Sequence, residues 1–214
     1  MTGHEDGRAL SPAANSGGDQ WNHNIHYARQ LLGLIPEGAQ DALDVGCGDG
    51  WLVREMRQRV GHVVGIDTDA FSILAARAIG EIDGIEYLQG DLVAWPFEPA
   101  SFDFVTAVAS LHHLDEKTAL TRMAQLLRPG GTLGVVGLAR TRLPRDLAFD
   151  VAGVFATRAH KRTKTYWETP APKIWPPPHH YGELRRLSAT VLPGRRFRRG
   201  AMWRYVLTWA KPAT

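Results

Sequence analysis

The sequence predicts an α/β fold: a doubly wound, mostly parallel seven-stranded sheet with an antiparallel last strand, preceded by a helix and interrupted late by an insertion. Two observations lead there. Between residues 42 and 138 short apolar runs alternate with segments of helical period, the pattern of parallel strands joined by right-handed crossovers. The first of those runs passes straight into "DVGCGDG", with glycine at every second position. A helix follows, so bare backbone and free helix amides meet at the carboxyl end of a strand.

Each element has its own signal. "WNHNIHYARQLLGLIP" places Trp21, Ile25, Ala28, Leu32 and Ile35 at helical spacing, with Pro36 as the stop, which predicts a helix over 20–36. Next come "ALDVG" as a buried strand, "GWLVREMRQRV" as a helix, "HVVGID" as a strand, "DAFSILAARAIGE" as a helix and "IEYLQGD" as a strand. A proline-interrupted loop, "LVAWPFEPAS", stands where a third crossover helix would be, before the strand "FDFVTAVAS". "EKTALTRMAQLLR" is a helix, "PGG" a breaker and "TLGVVGL" a strand. Beyond residue 140, "RDLAFDVAGVFATRAH" reads as a helix and "KRTKTYWETPAPKIWPPPHH" as irregular, being too rich in proline for regular structure. A last helix, "YGELRRLSATVL", precedes two closing strands in "GRRFRRGAMWRYVLTWAKP".

Composition narrows the class. With 214 residues, 44% hydrophobic and 22% charged, the chain makes one core, read as a single domain over 20–214 behind a disordered polar leader at 1–19. The lone Cys47 excludes an internal disulfide framework, and no segment is apolar for the length of a membrane span or built like a signal peptide. A cytoplasmic location is expected. Charge is uneven: residues 1–140 balance to −8 and residues 141–214 to +11.

The glycine turn is the chemical clue. A phosphate loop would end in Gly-Lys-Ser/Thr, and here Trp51 follows Gly50. The dinucleotide fingerprint is G-x-G-x-x-G, whereas this spacing is G-x-G-x-G behind Asp44. An acid beside a pyrophosphate is electrostatically unfavourable, yet it suits a ligand carrying an amine. Asp67 follows the turn by 17 residues, near the spacing at which such sheets place a ribose-binding acid, and its carboxylate accepts two hydroxyl hydrogens. Asp91 stands at the end of the next strand. Read singly, these residues also fit a tight connection, a helix cap and a strand end.

Taken in order, "LDVGCGDG", "GIDTD", "QGDL", "FDFVTAVASLHHL" and "LLRPGGTLGVV" resemble the class I S-adenosylmethionine-dependent methyltransferases, in their small-molecule, methyltransferase-type-11-like branch, over about residues 42–138. The resemblance implies a Rossmann-like fold and S-adenosyl-L-methionine as cofactor, with S-adenosyl-L-homocysteine as product. It implies that Asp44, Gly46, Cys47, Gly48 and Gly50 cradle the methionine part. Asp67 with Thr68 would take the ribose, Asp91 with Leu92 the adenine, and Ala109 would line the active-site edge. An N-terminal helix in such proteins often forms a lid, and residues 141–180 hold the place of a substrate cap.

Methyl transfer needs a general base only when the acceptor starts protonated. Histidine is the natural candidate. His112 and His113 follow a strand and face the cleft side, and His23 shares a helix face with Tyr27 at i, i+4. Tyr27, Tyr166, Trp167 and Trp175 are candidate substrate contacts. His179 and His180 lack ligand companions at metal spacing, so no metal is expected. Arginines and aromatics interleave after residue 140, which suits a small anionic or aromatic acceptor, single-stranded nucleic acid, or a solvated face. The expected function is methyl transfer to an oxygen or nitrogen of a small metabolite. An RNA or DNA methyltransferase and a non-catalytic cofactor-binding protein are the alternatives.

Overall fold

The computed structural model describes residues 20–142, 146–163, 165–166 and 176–213. The leader expected at 1–19, together with Trp167 and Trp175, lies outside the described residues.

In chain order the elements are β1 (Gln20–Trp21), α1 (His23–Leu31), β2 (Asp41–Val45), α2 (Trp51–Arg57), β3 (His62–Asp67), α3 (Ala70–Ala78), β4 (Ile85–Gln89), β5 (Phe102–Val108), α4 (Glu116–Leu126), β6 (Leu127–Leu138), α5 (Leu147–Thr163), β7 (Thr165–Tyr166), α6 (Tyr181–Val191), β8 (Arg196–Arg199) and β9 (Arg204–Ala210). Seven strands form one sheet in the order β4-β3-β2-β5-β6-β9-β8. β9 runs antiparallel to both neighbours, so six strands share a direction and the last one in sequence opposes them. The chain leaves β2 for β3 on one side and later returns to β5 on the other. That reversal opens a crevice above the carboxyl ends of β2 and β5, where ligands of such sheets sit.

Both faces of the sheet are covered. On one, α4 and α6 bring Leu120, Met123, Leu126 and Leu184 against Leu43, Ile66, Val105 and Val135. On the other, α1, α2 and α3 bring Leu31, Met56 and Ile73 against Ala42, Val63, Phe104 and Val136. Central strands buried on both faces account for near-continuous apolar runs such as "FVTAV". At the opposite end of the sheet Arg128 joins Asp41 and Asp103 at 2.8 Å each, tying β2, β5 and β6 together away from the crevice.

Three departures from the sequence expectation have physical reasons. The N-terminal helix starts at His23, because the Asn22 side chain accepts from the Ile25 amide at 2.7 Å and caps it. It then tightens to a 3₁₀ turn over Leu32–Leu34 before Pro36, whose ring disfavours a helical preceding residue. The "PGG" breaker does not end a loop. β6 runs through it with a register shift opposite Phe102 and Phe104, and the C-terminal Lys211 pairs with Gly130 and Gly131. Finally, the stretch expected to be irregular contains the end of α5 and β7, and β7 pairs in parallel with β1.

Candidate functional site

A cavity of about 220 Å³ lies above the crest of the sheet. Its floor is the glycine turn. Gly46, Gly48 and Gly50 all take positive φ, at 70°, 55° and 74°, where a side chain is strained. They differ in what a β-carbon would meet. At Gly46 it would fall 2.3 Å from the Ser110 Cβ, and at Gly50 2.4 Å from the Tyr87 hydroxyl, while at Gly48 nothing lies within 4 Å. The outer glycines therefore let the protein pack on itself. The middle one opens onto the cavity, which Gly46, Cys47 and Gly48 all line and Gly50 does not.

Two carboxylates are fixed beside this floor. Asp44 is 3% exposed, and its Oδ1 accepts the Thr106 hydroxyl at 2.8 Å. Burial pushes its carboxyl up to about 7, with the Thr106 bond opposing and the charge of Asp67 adding to the rise. A buried acid poised there gains strongly from a cationic partner. Asp67 ends β3 with both oxygens engaged: Oδ2 accepts from the Gly48 amide and Oδ1 from the Asp69 amide, each at 2.9 Å. Each oxygen keeps a lone pair, so the carboxylate is held rigid with two acceptor positions left for a vicinal diol.

The remaining positions divide. Thr68, Leu92, Ala109 and His113 line the cavity, and Ala109 holds an uncommon φ of 55° for a residue with a β-carbon. Asp91 does not line it. Its Oδ1 accepts the amides of Val93 and Ala94 at 2.8 and 3.1 Å, and its neighbours Gly90 and Leu92 face the space instead. The rings of His112 and His113 lie 4.1 Å apart, and only His113 lines the cavity. Burial lowers the His113 imidazole, with Asp67 opposing. Burial, then the charges of His113 and Arg204, bring His112 down to about 4, and its Nδ1 is shut from water without a hydrogen-bond partner among the described residues.

The N-terminal helix contributes through residues other than those singled out in sequence. Asn22, Asn24, Ile25 and Ala28 line the cavity from the cap and body of α1. His23 instead turns to the Thr157 hydroxyl at 3.1 Å, and Tyr27 is buried with its hydroxyl donated to the Ala201 carbonyl at 3.0 Å. Tyr166 is placed by its backbone in β7. Of the residues overlooked, Asn22 carried an N-cap signal and Ser110 sat at a strand's carboxyl end. Asn24 is held by Arg204, 180 residues away, a link for which the sequence gives no cue. No helix among the described residues is long and apolar enough to cross a membrane.

Known proteins match this chain in sequence and in fold. Residues 43–135 match the methyltransferase domain family. The chain is 39% identical over 193 residues to an uncharacterised methyltransferase of Mycobacterium bovis, covering 90% of this chain and 98% of that one. It is 35% identical over 136 residues to the 2-phytyl-1,4-naphthoquinone methyltransferase of Thermosynechococcus vestitus, covering 59% of this chain and 60% of that one. Among solved structures, a Haemonchus contortus phosphoethanolamine N-methyltransferase in complex with phosphomonomethylethanolamine and S-adenosylhomocysteine superposes with a TM-score of 0.62. It is 16% identical and covers 90% of this chain and 53% of that one.

Proposed function

The chain belongs to the S-adenosylmethionine-dependent methyltransferases, and we propose that it methylates an oxygen or nitrogen of a small organic acceptor held at the crest of the sheet. The observation that carries this reading is His113. Its imidazole lines the same cavity as Asp44, Gly48 and Asp67, and burial keeps it neutral near pH 7, the state in which it accepts a proton.

The residues of this chain fit the cofactor. Asp44 would take its ammonium, since that cation returns a buried carboxyl to its ionised form. Asp67 would take the ribose diol with the lone pairs that its two amide bonds leave. Gly48 would let the ligand lie on bare backbone, and Leu92 would supply an apolar wall near the adenine. When bound, the cofactor supplies a sulfonium methyl group that needs no further activation. The protein's remaining work is to orient the acceptor, exclude water under α1, and remove the acceptor's proton.

A small organic acceptor is supported by relatives named for a naphthoquinone, for carbon 24 of a sterol and for an oxygen of malonyl-acyl carrier protein, and the choice of oxygen or nitrogen over carbon rests on His113 alone. The test uses cofactor with an isotopically labelled methyl, incubated with fractions of a bacterial extract. Label is expected in the small-molecule fraction, on oxygen or nitrogen by fragmentation. Label in nuclease-sensitive polymer, or on carbon, overturns the proposal.

A further inference from the structure

The cavity presents an electrostatic problem. Four carboxylates line it, those of Asp44, Asp49, Asp67 and Asp69, and a ligand bearing an amino-acid group brings a carboxylate of its own. Some donor has to face that carboxylate. The Ser72 hydroxyl is given to Asp69 at 2.7 Å and the Ser110 hydroxyl to the Val45 carbonyl at 2.6 Å. Thr68 is exposed to solvent, where a hydroxyl contributes little.

Asn24 stands apart. Arg204, on β9 and 9% exposed, directs Nε at 3.2 Å and Nη2 at 2.8 Å onto the Asn24 Oδ1. A guanidinium only donates, so the oxygen of that amide must be the end that faces it. The amide nitrogen points the other way, and Asn24 lines the cavity. The nitrogen makes no other hydrogen bond among the described residues. Arg204 enters from the register opposite Leu138, at the crest end of β6, and a third bond from Nη1 to the Met202 carbonyl at 3.3 Å helps hold it. Buried positive charge thus stands directly behind the amide, and polarises it toward donation.

We propose that the Asn24 amide is the donor for the carboxylate of the cofactor's amino-acid end, and that Arg204 is a positioning residue that fixes the amide's orientation. The inference rests on the reading of this cavity as the cofactor site. It assigns the lid a chemical task in addition to excluding water. It also explains how an acid-lined pocket accepts a zwitterion: Asp44 answers the ammonium and the Arg204-backed amide answers the carboxylate.

The test is calorimetry on the full chain with two compounds. S-adenosylhomocysteine carries the carboxylate and ammonium, and 5′-methylthioadenosine keeps the nucleoside and sulfur without either. Asn24→Ala is expected to weaken S-adenosylhomocysteine about tenfold, the loss of one hydrogen bond to a charged group, and to leave 5′-methylthioadenosine unchanged. Arg204→Lys, which cannot fork onto one oxygen, is expected to weaken S-adenosylhomocysteine in the wild-type background and to add nothing on top of Asn24→Ala. If Arg204→Lys does not fold, Asn24→Asp replaces it. That variant keeps the acceptor for Arg204, offers no N–H, and is expected to lose more S-adenosylhomocysteine affinity than Asn24→Ala. Equal losses for both compounds, or none, overturn the inference alone. A wild-type chain that binds neither compound overturns the cofactor reading and this inference with it.

Discussion

Thr106 donates its hydroxyl to Asp44 across two adjacent strands at 2.8 Å, and neither residue is more than 3% exposed. The bond is set by the β2–β5 register, which places Asp44 directly opposite Thr106. It stabilises the ionised carboxylate against burial, and the balance leaves the carboxyl near 7. Cofactor affinity is therefore expected to rise with pH through about 7 and level off above it, because only the ionised form pairs with an ammonium. Thr106→Val removes the opposing bond and should move that rise to higher pH. Titration calorimetry with S-adenosylhomocysteine from pH 5.5 to 8.5 checks both; an affinity flat across the range refutes the assignment of Asp44.

The same carboxyl bears on stability. Its folded pKa is raised above the unfolded value, so the native state holds the proton between about 4 and 7 and the unfolded state does not. Stability due to this group falls as pH rises through that window, on the order of 1.4 kcal/mol per unit. Asp44→Asn is expected to raise the melting temperature at pH 8 while lowering cofactor affinity at least tenfold. Thermal melts at pH 5 and 8 should show the stabilisation at the higher pH.

Gly46 and Gly48, neighbours in the turn, should fail differently. Gly46→Ala drives a methyl group against the Ser110 Cβ in a backbone conformation with φ of 70°, and is expected to cost about 2–4 kcal/mol of stability. Gly48→Ala meets no protein atom and should cost only about 1 kcal/mol. Its methyl enters the cavity, so cofactor affinity is expected to drop more than tenfold in a folded protein. Denaturant melts paired with calorimetry separate the two.

His113→Gln is expected to lower turnover by about 10²–10⁴ for a hydroxyl or ammonium acceptor, with cofactor affinity preserved. Burial sets the His113 imidazole below its usual value, so the acid limb of the wild-type kcat profile should fall below pH 6.5 and vanish in the variant. His112, which does not reach the cavity, should leave that limb in place when replaced by Gln. A pH–rate profile of the two variants decides between the neighbours.

Arg199 lies between the rings of Phe149 and Tyr181, at 4.1 and 4.2 Å, and pairs with Asp146. It fastens the start of α5 to α6 and β8. Arg199→Met should cost about 2 kcal/mol, less than a fully buried pair because both side chains keep some exposure. Hydrogen exchange is expected to accelerate in α5 and to stay slow in β2 and β5.

How much of this was legible in the sequence depends on the range of each contact. The alternation of strand and helix, Asp44, Asp67 and the glycine turn are local signals, and a strand's carboxyl end is a place that a linear reading can locate. The division of labour among the glycines was not legible, because Tyr87 approaches them from β4 and Ser110 from the turn after β5. The residues of the N-terminal helix that reach the cavity escaped a linear reading for a similar reason. The helical period groups His23 with Tyr27, yet the Asn22 cap and the turn carrying Ala201 settle how the helix is rotated, and so bring Asn24 and Ile25 to the cavity. The "PGG" segment shows the limit of a breaker residue as a signal: Lys211, 80 residues onward, supplies the hydrogen bonds that keep Gly130 and Gly131 within the sheet.

The short parallel pairing of β1 with β7 joins the segment that leads into α1 to the segment that follows α5. His23 and Thr157 tie the same two parts a second time, at 3.1 Å. The start of α1 and the body of α5 are thereby fastened at two points, so displacement of either one strains the other.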